Sequence, residues 1–145
     1  MHHYLDEVGQ VIIKDLLQLK RKFDKKEAEL RFYKLAFLVI VAFFIGYLLF
    51  FIVMPYRFHY GMMISLLVNN VYHYLFIAVI VTIHSRLKFV EKKADMAEKD
   101  FNTLRCEVIQ RSEELWPDGE KRKQRHHFFI EMKEKYNINL YYESD

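Results

Sequence analysis

Three polar residues inside a long apolar segment are the side chains of this sequence most able to do chemistry. Ser65, Asn69 and His73 recur every fourth residue between Gly61 and Ile83, a segment without Asp, Glu, Lys or Arg. On a helix this spacing places them on one face. They could hydrogen-bond a neighbouring helix, or line a path for protons or ions. We favour an interhelical polar face, because two-helix transporters are rare and the segment carries no Asp, Glu, Lys or Arg.

A basic cluster near the carboxyl end is the second group of interest. It lies at the start of residues 120–136, which are predicted to form a basic amphipathic helix, and comprises Lys121, Arg122, Lys123 and Arg125. Such cations can bind anionic lipid headgroups or a cytoplasmic protein partner. Because no nucleic-acid-binding motif accompanies the cluster, we expect no nucleic-acid partner.

The remaining residues show no pattern typical of an enzyme or a metal site. His59, His73 and His84 lack the HxxxH and HExxH spacings of zinc sites. Cys106 is the single cysteine, which excludes an internal disulfide and a cysteine-based metal site. A glycine-rich phosphate loop, a nucleophile elbow and paired carboxylates are also missing from the sequence. We therefore predict a protein that is not an enzyme, with no catalytic residues, metal or cofactor.

Two apolar segments must position these side chains. Residues 35–54 are twenty consecutive uncharged residues, and as a helix they would extend roughly 30 Å, the thickness of the hydrocarbon core. Residues 61–83 form the second segment, and the short loop 55–60 begins with Pro55. The chain is 52% hydrophobic yet 28% charged, because the two classes are segregated. We therefore predict an all-α membrane protein with a two-helix transmembrane hairpin.

The distribution of Lys and Arg predicts the orientation of this hairpin. Arg57 is the single Lys or Arg of the loop, whereas basic residues cluster before the first span and after the second. Since cytoplasmic flanks carry the excess of Lys and Arg, both termini should be cytoplasmic and the loop external. The predicted location is the plasma membrane.

Amphipathic helices are expected on the cytoplasmic side. Residues 1–34 should form one, and residues 84–116 should continue the second span as a coiled-coil-like helix. Its apolar residues alternate in steps of three and four, as in a heptad seam: Leu87, Val90, Ala94, Ala97, Phe101, Leu104 and Val108. A turn at 117–119, the basic helix 120–136 and a loose or strand-like tail 137–145 complete the prediction.

The seam could pack in two ways. Within one chain, antiparallel arms would pair Leu16 with Phe101 and Phe23 with Ala94, but most flanking charges would then repel. In a parallel homodimer all six e–g pairs have opposite signs: Arg86–Glu91, Lys93–Glu98, Asp100–Arg105, Asp15–Lys20, Lys22–Glu27 and Glu29–Lys34. We therefore expect a homodimer, while antiparallel contacts inside its bundle stay open.

These features predict a membrane-anchored helical scaffold or adaptor that presents a cytoplasmic coiled-coil surface. The alternative is a small oligomeric channel-forming or holin-like protein, built by association of the Ser65–Asn69–His73 face. A scaffold should tolerate Asn69→Leu, whereas a pore should lose conductance.

The arrangement of the whole chain resembles a known family. A charged first helix ending in KRKFDKKEAELRFYK, two spans with a very short loop, and a long charged helix ending in WPDG are similar to the YpbF-like family of small two-span membrane proteins of bacilli. The resemblance implies a Gram-positive plasma membrane. It carries over no activity, substrate or catalytic residue.

Overall fold

The structure is entirely helical in its regular elements. The computed structural model describes residues 7–117 and 119–142, apart from the side chain of Lys121, and confirms the predicted all-α class over these residues. The helices are α1 (Glu7–Leu48), α2 (Met54–Tyr56), α3 (Tyr60–Asn69), α4 (Val71–Gln110), α5 (Ser112–Leu115) and α6 (Gly119–Tyr136). A π-helical turn, Leu49–Val53, joins α1 to α2.

Two stretches of helix are long and apolar enough to cross a membrane. The first, Glu7–Tyr56, has 50 residues, and the second is α4, which has 40. In their most apolar windows only 6% and 11% of the residues are buried inside the protein. A helix of comparable hydropathy in a water-surrounded core would be mostly buried. Helix α3 is a shorter apolar segment between them.

The chain divides into two compact units. The hairpin unit comprises Glu27–Lys93, and the bundle unit comprises the residues up to Lys26 together with those from Ala94 onward. In the hairpin unit the chain returns antiparallel to itself. The ring of Phe37 lies 5.5 Å from that of His84, and Phe44 stacks on Phe76 at 5.5 Å between centroids. Aromatic rings thus supply much of the packing between the two apolar helices.

The second apolar segment is not one continuous helix. The sequence predicted one helix over residues 61–83, whereas in the structure α3 ends at Asn69 and α4 begins at Val71. Asn70 between them has extended backbone angles, φ −94° and ψ 109°. From Val71 the helix then continues without a break to Gln110, past the predicted end of the span at Ile83.

The bundle unit has its own hydrophobic core. The core is built from α1, α4, α6 and the segments that flank α6, and its fully or nearly fully buried members are Ile13, Leu16, Phe101, Val108, Trp116, Phe128, Phe129, Met132, Ile138 and Leu140. The Trp116 ring contacts Phe128 at 5.4 Å and Phe129 edge-on at 5.9 Å between centroids. The sequence predicted Trp116 only as the last residue of the helix 84–116, but its side chain is central to this core.

The antiparallel register differs from the one considered in the sequence. Phe101 stacks on Phe23, with ring centroids 6.2 Å apart, whereas the sequence paired it with Leu16, seven residues earlier. A displacement of seven residues keeps the same apolar positions facing inward, since it is one heptad. It changes the charge pairs that flank the seam within the bundle unit. The repulsive pairs calculated for the other register therefore do not apply.

The tail is packed, in contrast to the prediction of a loose or strand-like end. Ile138 and Leu140 are fully buried, while residues 143–145 lie outside the described part of the chain. Helix α6 ends at Tyr136, and Asn137 follows with φ 54°, a left-handed conformation that Asn tolerates better than most residues. This conformation turns the chain so that the alternating residues Ile138 and Leu140 reach the core.

Candidate functional site

The interruption of the second apolar segment is built by side chains next to it. Asn70 acts as the amino-terminal cap of α4: its Oδ1 accepts a hydrogen bond from the Tyr72 N–H at 3.0 Å, and its backbone carbonyl accepts one from the His73 N–H at 3.1 Å. Asn is among the best capping residues, because its short side chain reaches an amide that has no partner in the first helical turn.

Side chains also bond to the backbone carbonyls at the end of α3. The Nδ1 atom of His73 lies 3.0 Å from the carbonyl oxygen of Leu67, and the hydroxyl of Tyr74 donates to the carbonyl of Val68 at 2.9 Å. Because a carbonyl oxygen only accepts, Nδ1 carries the hydrogen of the first bond. Backbone groups freed by the interruption thus bond to side chains only six residues away, which helix breaks in apolar surroundings require.

His73 is buried against the first apolar helix. It is 4% exposed, with the rings of Phe44 and Tyr47 at 6.5 and 5.7 Å between centroids. Its Nε2 atom is enclosed and has no hydrogen-bond partner among the described residues. His73 therefore packs inside the hairpin unit and does not project from it.

Ser65 and Asn69 point away from His73. Both residues are exposed, and Asn69 Nδ2 donates to Ser65 Oγ at 3.0 Å. The sequence predicted one polar face of three residues, which requires an unbroken helix. Ser65 and Asn69 lie four residues apart within α3, which brings them together, whereas His73 follows the interruption at Asn70.

The predicted seam residues are covered by the chain to which they belong. Val90 is buried within the hairpin unit, and Ala94, Ala97, Phe101 and Val108 are buried within the bundle unit. Leu87 and Leu104 are half-buried. In addition, Lys34 and Glu91, assigned to two intermolecular pairs by the sequence, lie 3.8 Å apart in one chain. The apolar surface expected to hold a second copy is thus used in the fold of one copy.

A polar cavity of about 360 Å³ lies beside the bundle core. Arg105, which is 5% exposed, donates from Nη1 to the backbone carbonyl of Asn139 at 3.3 Å. Lys20 lies across the cavity, where it pairs with Asp24 at 2.9 Å and sits over the Phe23 ring. These cations connect α1, α4 and the tail, so we assign the cavity a structural role.

The basic cluster lies on the outside of α6. Arg122 and Lys123 are exposed and Arg125 is half-buried, with its guanidinium 6.0 Å from the centre of the Phe129 ring. The side chain of Lys121 is outside the described part of the structure. Farther along the helix, the hydrogen bond from Lys135 to Glu131, 2.7 Å long, raises the pKa of the Lys135 ammonium. The Lys135 ammonium therefore stays protonated at neutral pH.

Helix α4 ends at Gln110, next to an arginine that forms two ion pairs. Arg111 lies between α4 and α5 and binds Glu114 at 3.2 Å and Glu107 at 3.4 Å. These bonds, first that to Glu114 and then that to Glu107, raise the pKa of the Arg111 guanidinium. In residues 7–117 and 119–142, no group of three or more His, Cys, Asp or Glu side chains could hold a metal ion.

Sequence reasoning did not identify Asn70, Tyr74 or the tail residues as structural determinants. The Asn69–Asn70 pair was available as a signal, since Asn is a frequent cap and a poor residue for a helix interior. The alternation of Ile138 and Leu140 indicated a segment with one buried face. The partners of Tyr74 could not be predicted, because its hydroxyl bonds to a carbonyl that becomes available only when the helix is interrupted.

Comparison with known proteins identifies relatives of the whole chain. The uncharacterized protein YpbF of Bacillus subtilis (strain 168) is 28% identical over 144 residues, which cover 99% of this chain and 95% of YpbF. No solved structure shows significant similarity. Residues 12–143 match the family described as "Protein of unknown function (DUF2663)". The resemblance to YpbF-like proteins is thereby confirmed, and the chain belongs to the DUF2663 family.

Proposed function

We propose that this protein is a two-span integral membrane protein that acts as a scaffold or adaptor and holds a folded helical bundle at the cytoplasmic surface. The observation that carries the proposal is the exposure of large apolar side chains in the hairpin unit. Phe43 and Phe50, for example, are 70% and 69% exposed. Exposed apolar area of this extent is stable in lipid and unfavourable in water.

The distribution of charge supports a cytoplasmic bundle. Basic residues flank the apolar segments on the side of the bundle, and Arg57 is the single Lys or Arg between them. Under the positive-inside rule, the bundle unit is cytoplasmic and the turn at residues 57–59 is external. A Gram-positive plasma membrane agrees with the relative from Bacillus subtilis.

The scaffold role rests on the bundle unit, which offers charged outer surfaces around a closed core. Its predicted seam is buried, so a cytoplasmic protein partner would bind the outside of the helices. The exposed cations Arg122 and Lys123 are candidates for contact with such a partner or with anionic lipid headgroups. Mutation of both to Glu should weaken binding to anionic vesicles while membrane insertion persists.

The single cysteine provides a direct test of the proposed topology. Intact cells that express the protein are treated with a membrane-impermeant maleimide, and remaining thiols are then labelled in SDS with a fluorescent maleimide. Cys106 should keep its full fluorescent signal, because it would face the cytoplasm. As a matched control, His59→Cys in a Cys106→Ser background places the thiol in the exposed turn and should lose its signal.

Extraction with alkaline carbonate tests insertion separately from orientation. The protein should remain in the membrane pellet, since carbonate removes proteins that lie only on the surface. Release into the supernatant would contradict insertion. Blocking of Cys106 in intact cells would instead contradict the orientation alone.

The pore alternative is weakened by the position of His73. A channel lined by Ser65, Asn69 and His73 requires the three side chains to share one outward face, whereas His73 is buried among Phe44 and Tyr47. We therefore do not assign a conducting role. Expression of the protein should leave the membrane potential unchanged.

A further inference from the structure

We propose that two copies of this chain associate in the membrane through α3, with the Asn69 carboxamides of the two copies hydrogen-bonded to each other. This inference rests on the proposed insertion of the hairpin unit into lipid. It concerns a different surface from the heptad seam, whose residues are buried or half-buried within one chain.

The first argument is the unused hydrogen-bonding capacity of Asn69. A carboxamide has two N–H donors and one carbonyl oxygen that can accept two bonds. Asn69 Nδ2 donates to Ser65 Oγ at 3.0 Å, and the residue is exposed. The second N–H and the carbonyl oxygen are therefore available to groups outside the chain. In water they would be solvated, whereas hydrocarbon offers no partner.

The second argument is the depth of Asn69 in the proposed membrane. His73 contacts Phe44 and Tyr47, which lie near the centre of the apolar residues 35–54. Asn69 precedes His73 by four residues, of which Asn70 is extended, so it lies within about 8 Å of that level. Exposure of a polar group to lipid is most unfavourable near the bilayer centre. The Asn69 surface therefore requires a polar partner from another protein.

The third argument identifies that partner as a second copy. The amide of one copy can donate to the carbonyl of the other and accept in return, so Asn69 is complementary to itself. Gly61 and Ser65 lie on the same face of α3, eight and four residues before Asn69. A Cβ atom at Gly61 would meet nothing within 4 Å, which shows that the face is open. Small residues on both helices permit close approach, and two identical chains in one orientation supply them.

Energy transfer between full-length proteins in vesicles tests the proposal. Donor- and acceptor-labelled populations, each modified at Cys106, are mixed in phosphatidylcholine vesicles at several protein-to-lipid ratios. We expect concentration-dependent energy transfer for the natural sequence. Asn69→Leu should lower the association constant about 3- to 30-fold, the effect of removing interhelical hydrogen bonds. Asn69→Gln, which keeps the carboxamide, should restore part of the association.

Thr82→Val is the matched control. Thr82 is also an exposed polar residue of the second apolar segment, but its hydroxyl donates to the carbonyl of Ala78 within its own helix at 2.8 Å. Its replacement should leave energy transfer unchanged. An equal loss in Thr82→Val and Asn69→Leu would overturn the assignment of the interface to Asn69.

The remaining outcomes separate this inference from the proposed function. Protein that resists carbonate extraction from the vesicles but shows no energy transfer would overturn the self-association and leave the membrane proposal intact. The Asn69 face would then belong to a different membrane protein. Protein that carbonate removes would overturn the membrane proposal and the self-association together.

Discussion

The bundle unit and the hairpin unit use large apolar side chains in opposite ways. In the bundle unit Trp116, Leu16 and Met132 are at most 1% exposed, whereas in the hairpin unit Phe43 and Phe50 are about 70% exposed. Both units are helical, so secondary structure does not explain the contrast. This contrast supports the proposal that water surrounds the bundle unit and lipid surrounds the hairpin unit.

The two units nevertheless use a buried polar side chain in a similar way. Arg105 in the bundle unit donates to the carbonyl of Asn139, and His73 in the hairpin unit bonds to the carbonyl of Leu67. In both cases a side chain binds a carbonyl that regular secondary structure leaves available. The bundle bond joins residues 34 positions apart, whereas the hairpin bond joins residues only six apart. The bundle is therefore held by long-range contacts and the interruption by local ones.

The strongest test of the comparison is removal of Trp116. Trp116→Ala should destabilise the bundle unit by about 3–5 kcal/mol, because it leaves a cavity among Phe128 and Phe129. Limited proteolysis of the detergent-solubilised full chain should show much faster cleavage within α6. Phe50→Ala, at an exposed position of the hairpin unit, is the control and should leave the cleavage rate unchanged. Equal cleavage rates for Trp116→Ala and the natural protein would contradict the described core.

A charge placed on the two units distinguishes their solvents. Phe43→Arg should oppose membrane insertion by about 3 kcal/mol, since an arginine near the centre of a span is unfavourable in lipid. Met96→Arg changes a residue of the bundle unit that is 51% exposed and should have no effect on insertion. The measurement is the carbonate-resistant fraction of each variant in cell membranes. Similar carbonate-resistant fractions for the two variants would contradict the proposal that the two units have different surroundings.

Loss of the Asn70 cap should have a smaller, local effect. Asn70→Leu removes the acceptor for the Tyr72 N–H and should cost about 1 kcal/mol. Hydrogen–deuterium exchange in detergent micelles should become faster at residues 71–73 and stay the same in α6. Val71→Leu, an exposed neighbouring position, serves as the control. Unchanged exchange in Asn70→Leu would show that the cap does not stabilise the interruption.

The Lys34–Glu91 pair should contribute least. Both side chains are partly exposed and their charged atoms lie 3.8 Å apart, so Lys34→Ala should cost no more than about 0.5 kcal/mol. Thermal unfolding followed by circular dichroism in detergent is the measurement, and the shift should shrink further at high salt. A shift as large as that of Trp116→Ala would show that charge pairs, and not apolar packing, hold the helices together.

Much of the architecture could be predicted from the sequence because the signals were long. Twenty uncharged residues at 35–54 and the regular steps of the seam both extend over several helical turns. Helix class and the two apolar segments follow from such patterns. The register between the first helix and the seam helix could not be predicted, since pairing Phe101 with Leu16 or with Phe23 satisfies the same heptad pattern. Only the shapes of the packed side chains distinguish the two.

The interruption was harder to predict for a different reason. Ser65, Asn69 and His73 share a face only while the helix is continuous, so one residue with extended angles at Asn70 changes the direction of those that follow. Amino-acid composition does not reveal the interruption, because α3 and the first part of α4 are both apolar. Likewise, Trp116 was predicted only as the end of the helix 84–116, next to the turn at Pro117. Its burial depends on α6 and the tail, which lie later in the sequence.

The burial of Ile138 and Leu140 also determines when the bundle core can form during translation. The apolar segments of the hairpin unit leave the ribosome while the last third of the chain is still being translated, and the caps of the interruption need only neighbouring residues. The bundle core joins Ile13 and Leu16 to Ile138 and Leu140. Ile13 and Leu16 therefore cannot complete their core contacts until residues 138–140 have been synthesised. Chaperones that bind nascent chains have their clearest opportunity during this interval.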